Sequence, residues 1–241
     1  MRDFDLQPAK DLGLPEAERA RSLQREPGLF SLLTSHLWWG VVRVYLKVFH
    51  RLRIEGREHL PSEPPFVLVA NHSSHLDALV LAAALPARHR RYVFPISAGD
   101  VFFETKLATA FSAWCLNALP MWRKNAGRHA MGQLRERFVA GDAGFILFPE
   151  GTRSPDGELQ KFRAGGGMLV AGADVPVVPC YLAGTHDALP KGAALPRPRS
   201  LKLTIAPPQR FADQANDKAG WCAIATQLEA RVRALRSSSE A

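Results

Sequence analysis

The feature that most constrains the fold is a short apolar run that ends abruptly in a cluster of polar residues. Residues 66–70 (FVLVA) form the apolar run, whose length suits a buried strand. Residues 71–77 (NHSSHLD) form the polar cluster, and residues 78–85 (ALVLAAAL) then predict a helix that stops at Pro86. A buried strand, a polar turn and a helix in direct succession are typical of an open α/β sheet, which binds ligands at the carboxyl ends of its strands.

The same alternation of apolar runs and helical stretches continues through the rest of the chain. Further strands are predicted at residues 53–55, 92–96, 144–148, 175–182 and 201–205. Further helices are predicted at residues 103–115, 128–140 and 221–235. We therefore predict an α/β fold, with a mainly parallel or mixed sheet flanked by helices, in a single domain of residues 53–241.

Two segments of different composition precede this domain. Residues 1–28 contain six acidic residues, five basic residues and three prolines, which predicts a loosely attached polar arm and no secretory signal. Residues 29–52 are largely apolar and predict one long helix. The longest stretch of that helix without a charged residue, residues 29–42, has fourteen residues, which is too few to span a bilayer.

The helix of residues 29–52 combines adjacent tryptophans with cations at its C-terminal end. Trp38 and Trp39 lie near its middle, and Arg43, Lys47 and Arg51 follow. This combination is typical of a helix that lies in a membrane interface, so we predict a membrane-associating helix with its tryptophan face inserted and its cations at anionic head groups. The alternative is a helix that packs on the core of its own domain.

The charge of the chain predicts an anionic partner. The formal net charge is +8 and the sequence pI is about 9.8, which favours nucleic acid, a phospholipid surface or a phosphorylated substrate. The three cysteines, Cys115, Cys180 and Cys222, are far apart and form no CxxC motif. They are typical of reduced thiols in a protein on the cytosolic side of a membrane.

The polar cluster after the first strand contains the elements of a general base. His72 and Asp77 are five residues apart, so they meet only if His72 lies on the turn and Asp77 in the first helical turn. Asp77 would then fix the tautomer of His72 and leave the other ring nitrogen to accept a proton. Ser73 and Ser74 are predicted to cap the helix. A base without a nucleophile in the protein indicates that the substrate supplies the hydroxyl group.

Two other interpretations of this cluster remain open. The residues between the strand and the helix are also compatible with a capping turn that has no catalytic role. A metal site formed by His72, His75 and Asp77 is the second alternative, although no further clustered ligands follow in the sequence.

A second polar cluster, residues 148–154 (FPEGTRS), also follows a predicted buried strand. Gly151 allows the backbone to approach a ligand closely, and Arg153 carries a planar group suited to phosphate oxygens, with the Thr152 hydroxyl beside it. Glu150 is expected to orient a substrate hydroxyl or to hold Arg153. Arg123, which also follows an apolar run, is a candidate second cation for the same anion.

Residues 161–167 (KFRAGGG) place cations beside a glycine run that is predicted to open a helix, which also suits an anion. The GxxxxGK[ST] and GxGxxG patterns are absent, which argues against the common nucleotide-binding loops. The GxSxG pattern is absent as well, which argues against a serine hydrolase of the α/β-hydrolase type.

Together these blocks resemble the glycerolipid acyltransferase family, the lysophosphatidic-acid-acyltransferase-like (PlsC-type) proteins. Residues 71–77 are similar to the NHx4D block of that family, and residues 148–154 match its FPEGTRS block in full. Residues 175–179 (VPVVP) are similar to its VPhhP block, and Arg123 stands where the family has the Arg of its second block. The resemblance covers roughly residues 50–210.

The resemblance implies an enzyme that transfers a fatty acyl group from acyl-CoA or acyl carrier protein to a lysophospholipid hydroxyl, most simply converting lysophosphatidic acid to phosphatidic acid. His72 would be the general base and Asp77 its orienting partner, and Glu150 would bind near the acceptor hydroxyls. The acceptor phosphate would be held by Arg153 together with Thr152, Gly151 and Arg123. No metal or prosthetic group is expected, and the expected location is monotopic, on the cytoplasmic face of a bacterial inner membrane.

Two alternatives belong to other functional classes. The same histidine could activate water, which would make the protein a lipid or thioester hydrolase. A non-enzymatic basic module that binds nucleic acid or membrane is the other, because residues 190–210 carry five cations and no acidic residue. These residues lack interleaved aromatic side chains and a nucleic-acid fold signature, so no nucleic-acid partner is expected.

Overall fold

The computed structural model describes residues 29–90, 92–98, 119–121, 135–136 and 143–240. The predicted arm of residues 1–28, the predicted helix of residues 103–115 and Arg123 lie outside these ranges. Of the predicted helix 128–140, only residues 135–136 are described, and they are helical.

The described strands form one mixed sheet, as the alternation of the sequence predicts. In chain order they are β1 (Arg53–Glu55), β2 (Val67–Ala70), β3 (Val93–Ala98), β4 (Leu119–Met121), β5 (Gly144–Leu147), β6 (Val177–Ala183) and β7 (Lys202–Ile205). Their order in the sheet is β1-β7-β6-β2-β5-β3-β4. The β6–β7 pair is antiparallel and every other neighbouring pair is parallel.

Helices cover both faces of this sheet because successive strand side chains point to opposite sides. The helices are α1 (Leu29–Val48), α2 (Leu76–Ala84), α3 (Gly165–Val170), α4 (Thr185–Ala188) and α5 (Lys218–Glu240). Leu68 belongs to the hydrophobic cluster under α1 and α2, whereas its neighbours Val67 and Val69 belong to the cluster under α3 and α5. The α/β fold predicted from the sequence is confirmed.

The topology brings several chain segments to one edge of the sheet. Strands β2, β5 and β6 are parallel neighbours, so their carboxyl ends lie together, and we call this edge the site edge. Strand β7 runs the other way, and its first residue Lys202 pairs with Ala183 at the end of β6. Arg53 in turn pairs with Lys202, so the end of α1 also reaches the site edge.

Helix α1 has a buried face and an exposed face, and both are apolar. Trp39, Val42 and Leu46 are buried in the cluster with α2, with Trp39 only 5% exposed. The opposite stripe is exposed: Leu37, Val41, Val44 and Val48 are 72%, 56%, 62% and 73% accessible. The prediction that the tryptophan face is inserted in a membrane is therefore wrong for Trp39, and Trp38 is also packed against the core.

Helix α1 ends at Val48, before the predicted boundary at residue 52, since Arg51 adopts a left-handed backbone with φ 47°. Arg43 does not extend toward head groups as predicted, because Nε donates to Ala83 O (3.1 Å) and Nη2 to Leu85 O (2.8 Å). It thus satisfies carbonyl groups that the end of α2 leaves without helical partners. Among the described helices, none has the length and apolar character needed to cross a bilayer.

Candidate active site

The histidine turn (residues 71–77) is organised by the buried carboxylate of Asp77. Its Oδ2 atom accepts three hydrogen bonds, from His72 Nδ1 (2.9 Å), Ser73 N (2.7 Å) and Ser74 N (2.8 Å). The Asp77 side chain is fully buried and the imidazole of His72 is 19% exposed. Because a carboxylate only accepts, Nδ1 carries the proton and Nε2 is left as the basic nitrogen. The predicted pairing across the strand-to-helix turn is present in the structure.

The other polar side chains of the histidine turn point away from His72. Asn71 bonds to both backbone groups of Leu182, at 2.8 and 2.9 Å. Ser73 Oγ pairs with Thr185 Oγ1 at 3.2 Å, and Ser74 Oγ donates to Leu189 O (2.8 Å) while it accepts from Leu76 N (3.1 Å). Ser74 thus satisfies the first amide of α2, although the N-cap residue is His75, whereas Ser73 does not take part in the predicted cap and bonds to Thr185 instead.

No described residue forms a hydrogen bond to Nε2 of His72. The site thus has an oriented base without a hydroxyl or thiol nucleophile bonded to it in the described part of the chain. The same ranges contain no group of three His, Cys, Asp or Glu side chains placed to share a metal ion.

The arginine loop (residues 148–154) follows β5 and packs directly on the histidine turn. The Phe148 ring stacks on the His72 imidazole, with centroids 4.1 Å apart and planes 18° apart. Sequence reasoning treated Phe148 only as the end of a strand and missed this contact. The position of Phe148 in the sequence could have indicated this contact. It follows directly after β5, and the histidine turn follows directly after the neighbouring parallel strand β2.

Glu150 joins the arginine loop to the backbone of His72. It is 2% exposed, and its Oε1 and Oε2 atoms accept from His72 N (2.8 Å) and Gln160 N (3.2 Å). Burial raises the pKa of this carboxyl to about 7, although the two amide donors favour its charged form. Ser154 N also donates to His72 O at 2.8 Å, so both backbone groups of His72 are bonded to the arginine loop.

The middle of the arginine loop lies at the surface and brings two arginines together, Arg153 of the loop itself and Arg163 beside it. Gly151 is exposed and has φ 74°, in the left-handed region that favours glycine. A β-carbon at this position would lie only 3.0 Å from Nε of Arg163, so that guanidinium group rests against the loop. Arg153 is half-buried, and burial together with the Arg153 charge lowers the pKa of His75 to about 4. Arg153 therefore lies next to the histidine turn.

The structure brings together most of the residues singled out in the sequence. His72, Asp77 and the arginine-loop residues Glu150, Gly151, Thr152 and Arg153 all lie at the site edge, while Arg123 is outside the described residues. Arg163, predicted only as part of a general anion-binding stretch, joins them. The arrangement defines an α/β protein with a histidine–aspartate base beside a cationic loop.

Comparison with known proteins places the chain in a family of this kind. The family model described as Acyltransferase matches residues 51–183, more than half of the sequence, and the chain belongs to that family. It is 29% identical over 148 residues to the human 1-acyl-sn-glycerol-3-phosphate acyltransferase alpha, covering 60% of this chain and 50% of the human protein. It is 34% identical over 158 residues to a chloroplastic 1-acyl-sn-glycerol-3-phosphate acyltransferase of Brassica napus, covering 64% of this chain and 43% of that protein.

The fold also matches a solved structure. The crystal structure of the 1-acyl-sn-glycerophosphate (LPA) acyltransferase PlsC from Thermotoga maritima superposes with a TM-score of 0.64. The match covers 85% of this chain and 79% of that one at 24% identity, which supports the shared fold. The chain spans about half the length of the human relative that it matches.

Proposed function

We propose that this protein transfers a fatty acyl group from an acyl thioester to the hydroxyl of a lysophospholipid, with lysophosphatidic acid as the acceptor and phosphatidic acid as the product. The observation that carries the proposal is the His72–Asp77 pair, 2.9 Å apart, with no nucleophile hydrogen-bonded to the remaining imidazole nitrogen within the described residues. The family to which the chain belongs and the names of its relatives support the same reaction.

His72 acts as the general base. Its Nε2 atom removes the proton of the acceptor hydroxyl as the oxygen attacks the thioester carbonyl carbon. The carbon–sulfur bond then breaks, and the imidazolium returns the proton to the departing thiolate. Asp77 stabilises the imidazolium through Nδ1, and the amides of Ser73 and Ser74 hold the carboxylate in position.

The acceptor phosphate binds at the middle of the arginine loop. Arg153 supplies a planar pair of donors, the Thr152 hydroxyl lies beside it, and Gly151 leaves the backbone open to the ligand. Arg163 adds a second positive charge at this loop, and Arg123 is proposed as a further one. Glu150 was predicted to bind near the acceptor hydroxyls, but it is buried and both of its oxygens accept from backbone amides, so we propose instead that it holds the loop against the histidine turn.

The thioester donor is acyl-CoA or acyl carrier protein, and the reaction as written needs no metal or prosthetic group. Proton transfer, attack and departure of the thiol all use groups of the protein and its two substrates. The base and the phosphate-binding loop therefore account for the chemistry by positioning and proton transfer alone.

The exposed stripe of α1 supports a location at a membrane surface. Leu37, Val41, Val44 and Val48 form a continuous apolar strip on the outer face of this helix, and an exposed apolar strip of this kind is suited to insertion into the interface of a bilayer. We propose a monotopic attachment on the cytoplasmic face of a bacterial inner membrane. The unpaired thiols of Cys180 and Cys222 are consistent with a reducing compartment.

The decisive experiment is mass spectrometry of products from the purified full chain. The protein is offered a panel of lysophospholipids with either acyl-CoA or acyl carrier protein as the donor, and each donor is also incubated without acceptor. Phosphatidic acid formed from lysophosphatidic acid supports the proposal, and the donor that is consumed identifies the co-substrate. Free fatty acid released at the same rate with and without lysolipid would instead establish a hydrolase.

A further inference from the structure

The segment between α4 and β7 is exposed and cationic, and no step of the proposed reaction uses it. We call residues 191–199 the basic segment. Leu195 is 79% exposed within it, and the cations Lys191, Arg197 and Arg199 on both sides of this leucine are exposed as well. None of the three cations forms an ion pair with another described residue.

The other two cations of this region are already paired. Lys202 Nζ lies 3.0 Å from Glu55, and Arg210 Nη1 lies 2.7 Å from Asp174. The positive charge available to an external anion is therefore concentrated in the basic segment, next to an exposed leucine.

The basic segment is bonded to the end of α4, and the α4 region is bonded in turn to the histidine turn. Ser74 Oγ donates to Leu189 O at 2.8 Å, and Arg197 N donates to Ala188 O at 2.7 Å. Thr185, at the start of the same stretch, pairs with Ser73. The segment therefore follows an element that packs on the histidine turn at the site edge.

Its other end is held against the end of α1. Leu201 N donates to His50 O at 3.0 Å, and Arg51 Nε donates to Ser200 Oγ at 3.3 Å. His50 and Arg51 follow directly after the exposed stripe of α1, which ends at Val48. The basic segment thus links the apolar stripe of α1 to the active site along a single edge of the molecule.

We propose that the basic segment is a second membrane contact, in which Leu195 enters the interface of an anionic phospholipid bilayer while Lys191, Arg197 and Arg199 contact lipid head groups. This inference rests on the proposed function, since it brings the site edge to the surface where a lysophospholipid acceptor lies. Apolar burial combined with attraction to anionic lipid is the established basis of interfacial binding. Nucleic acid fits less well, because the segment contains no aromatic side chain for base stacking.

The test compares charge-matched variants of the full chain in flotation with vesicles. The test variant is Arg197→Glu/Arg199→Glu, and the control is Lys218→Glu/Arg231→Glu, whose residues are exposed on α5, the helix that covers the face of the sheet opposite to α1. Vesicles are phosphatidylcholine alone or phosphatidylcholine with phosphatidylglycerol. We expect the test variant to bind anionic vesicles roughly tenfold to a hundredfold more weakly than the control, with the difference shrinking at high salt. Leu195→Ser should weaken binding to both vesicle types.

Activity assays separate this proposal from the proposed function. The test variant should lose activity toward acceptor embedded in anionic vesicles and keep the control's rate on a short-chain, monomeric acceptor. If the test and control variants bind vesicles equally well, the second membrane contact is overturned. It is also overturned if the test variant binds vesicles as well as the unmodified protein but is no longer retained on a DNA duplex, since the segment would then bind nucleic acid. If the unmodified protein transfers no acyl group to either acceptor, the proposed function fails, while the vesicle comparison still decides the docking surface.

Discussion

The histidine turn and the arginine loop both follow a buried parallel strand at the site edge, yet they are held in opposite ways. In the histidine turn, Asn71, Ser73, Ser74 and Asp77 are buried and bonded inward, and His72 remains accessible between them. In the arginine loop the buried anchors lie on both sides of the middle: Glu150 and Ser154 are 2% and 1% exposed, and residues 151–153 between them remain at least partly accessible.

This difference suits the two tasks proposed for these regions. A general base needs one ring in one tautomer and one orientation, which a network of buried acceptors and amides provides. A loop that binds a phosphate needs several donors exposed together, which fixed ends and an accessible middle provide. The two regions meet at His72, whose backbone amide and carbonyl both bond to the arginine loop.

The largest effect should come from the histidine turn. His72→Ala should lower kcat by about 10²–10⁴-fold, because it removes the general base, while the KM for the acceptor changes little. Steady-state kinetics with the acceptor varied provides the measurement. His75→Ala is the matched control, because burial and the nearby Arg153 charge lower the pKa of His75 to about 4, which makes it a much weaker base than an ordinary histidine. Similar losses in both variants would contradict the assignment of the base.

In the arginine loop, a substitution should change mainly the KM for the acceptor rather than kcat. Arg153→Ala should raise the KM for a phosphate-bearing acceptor and lower kcat/KM by about ten- to a hundredfold, since a hydrogen bond to a charged group contributes roughly 1.5–3 kcal/mol. Arg153→Lys should restore only part of this, because it loses the planar pair of donors. Impairment of the same size toward an acceptor without phosphate would show that Arg153 has a structural role and that the contrast between the two regions is wrong.

The local parts of both regions were predictable from the sequence. The strand, turn and helix of residues 66–85 form a continuous pattern, and only a turn allows His72 and Asp77 to meet. The bond from His72 N to Glu150 was not predictable, because it joins residues 78 apart and depends on β2 and β5 being neighbours. Hydrophobic patterns predict that strands exist, but they do not give the order of strands within the sheet.

The orientation of α1 was not predictable for a different reason. A helix that is apolar on most of its surface does not show by its pattern which face is buried. Trp39 faces α2, where its ring also contacts the Arg90 guanidinium at 5.2 Å, and the smaller Val41 and Val44 are left outside. The face of α1 that is buried is therefore the one that packs against α2, and the pattern of apolar residues along α1 does not identify that face.

Glu150→Gln tests the connection between the two regions, with an expected loss of about tenfold in kcat. The amide keeps one acceptor and turns a donor toward the other backbone N–H, which leaves a buried donor unsatisfied at a cost of roughly 1–3 kcal/mol. Steady-state kinetics and chemical denaturation of the same samples measure the two effects. The comparison is made below about pH 7, where the Glu150 carboxyl is protonated in the folded protein, and a variant as active and as stable as the unmodified protein there would show that the connection is dispensable.

The same substitution has a pH signature. The pKa of Glu150 is raised from 4.5 to about 7 in the folded protein, so its contribution to stability is full below about pH 4.5 and is lost as the pH rises through about 7. It amounts to at most about 3 kcal/mol. The difference in unfolding free energy between the unmodified protein and Glu150→Gln should therefore shrink across this range. His50, His75 and His89 have lowered pKa values and act in the opposite direction, but they are common to both proteins and largely cancel.

The smallest expected effect concerns the ring contact between the two regions. Phe148→Leu should lower kcat by about two- to tenfold, because it keeps an apolar side chain but removes a stacked ring, and such contacts contribute roughly 0.5–1.5 kcal/mol beyond the area they bury. Phe148→Tyr keeps the ring and should retain most of the activity. The KM for the acceptor should change little in either variant, since Phe148 contacts the base rather than the exposed middle of the loop. Thermal unfolding of both variants separates a change in ring position from a loss of folding. If the leucine and tyrosine variants lose activity equally while remaining folded, the stack does not position the imidazole, and the hydrogen bonds of Asp77 alone hold His72 in place.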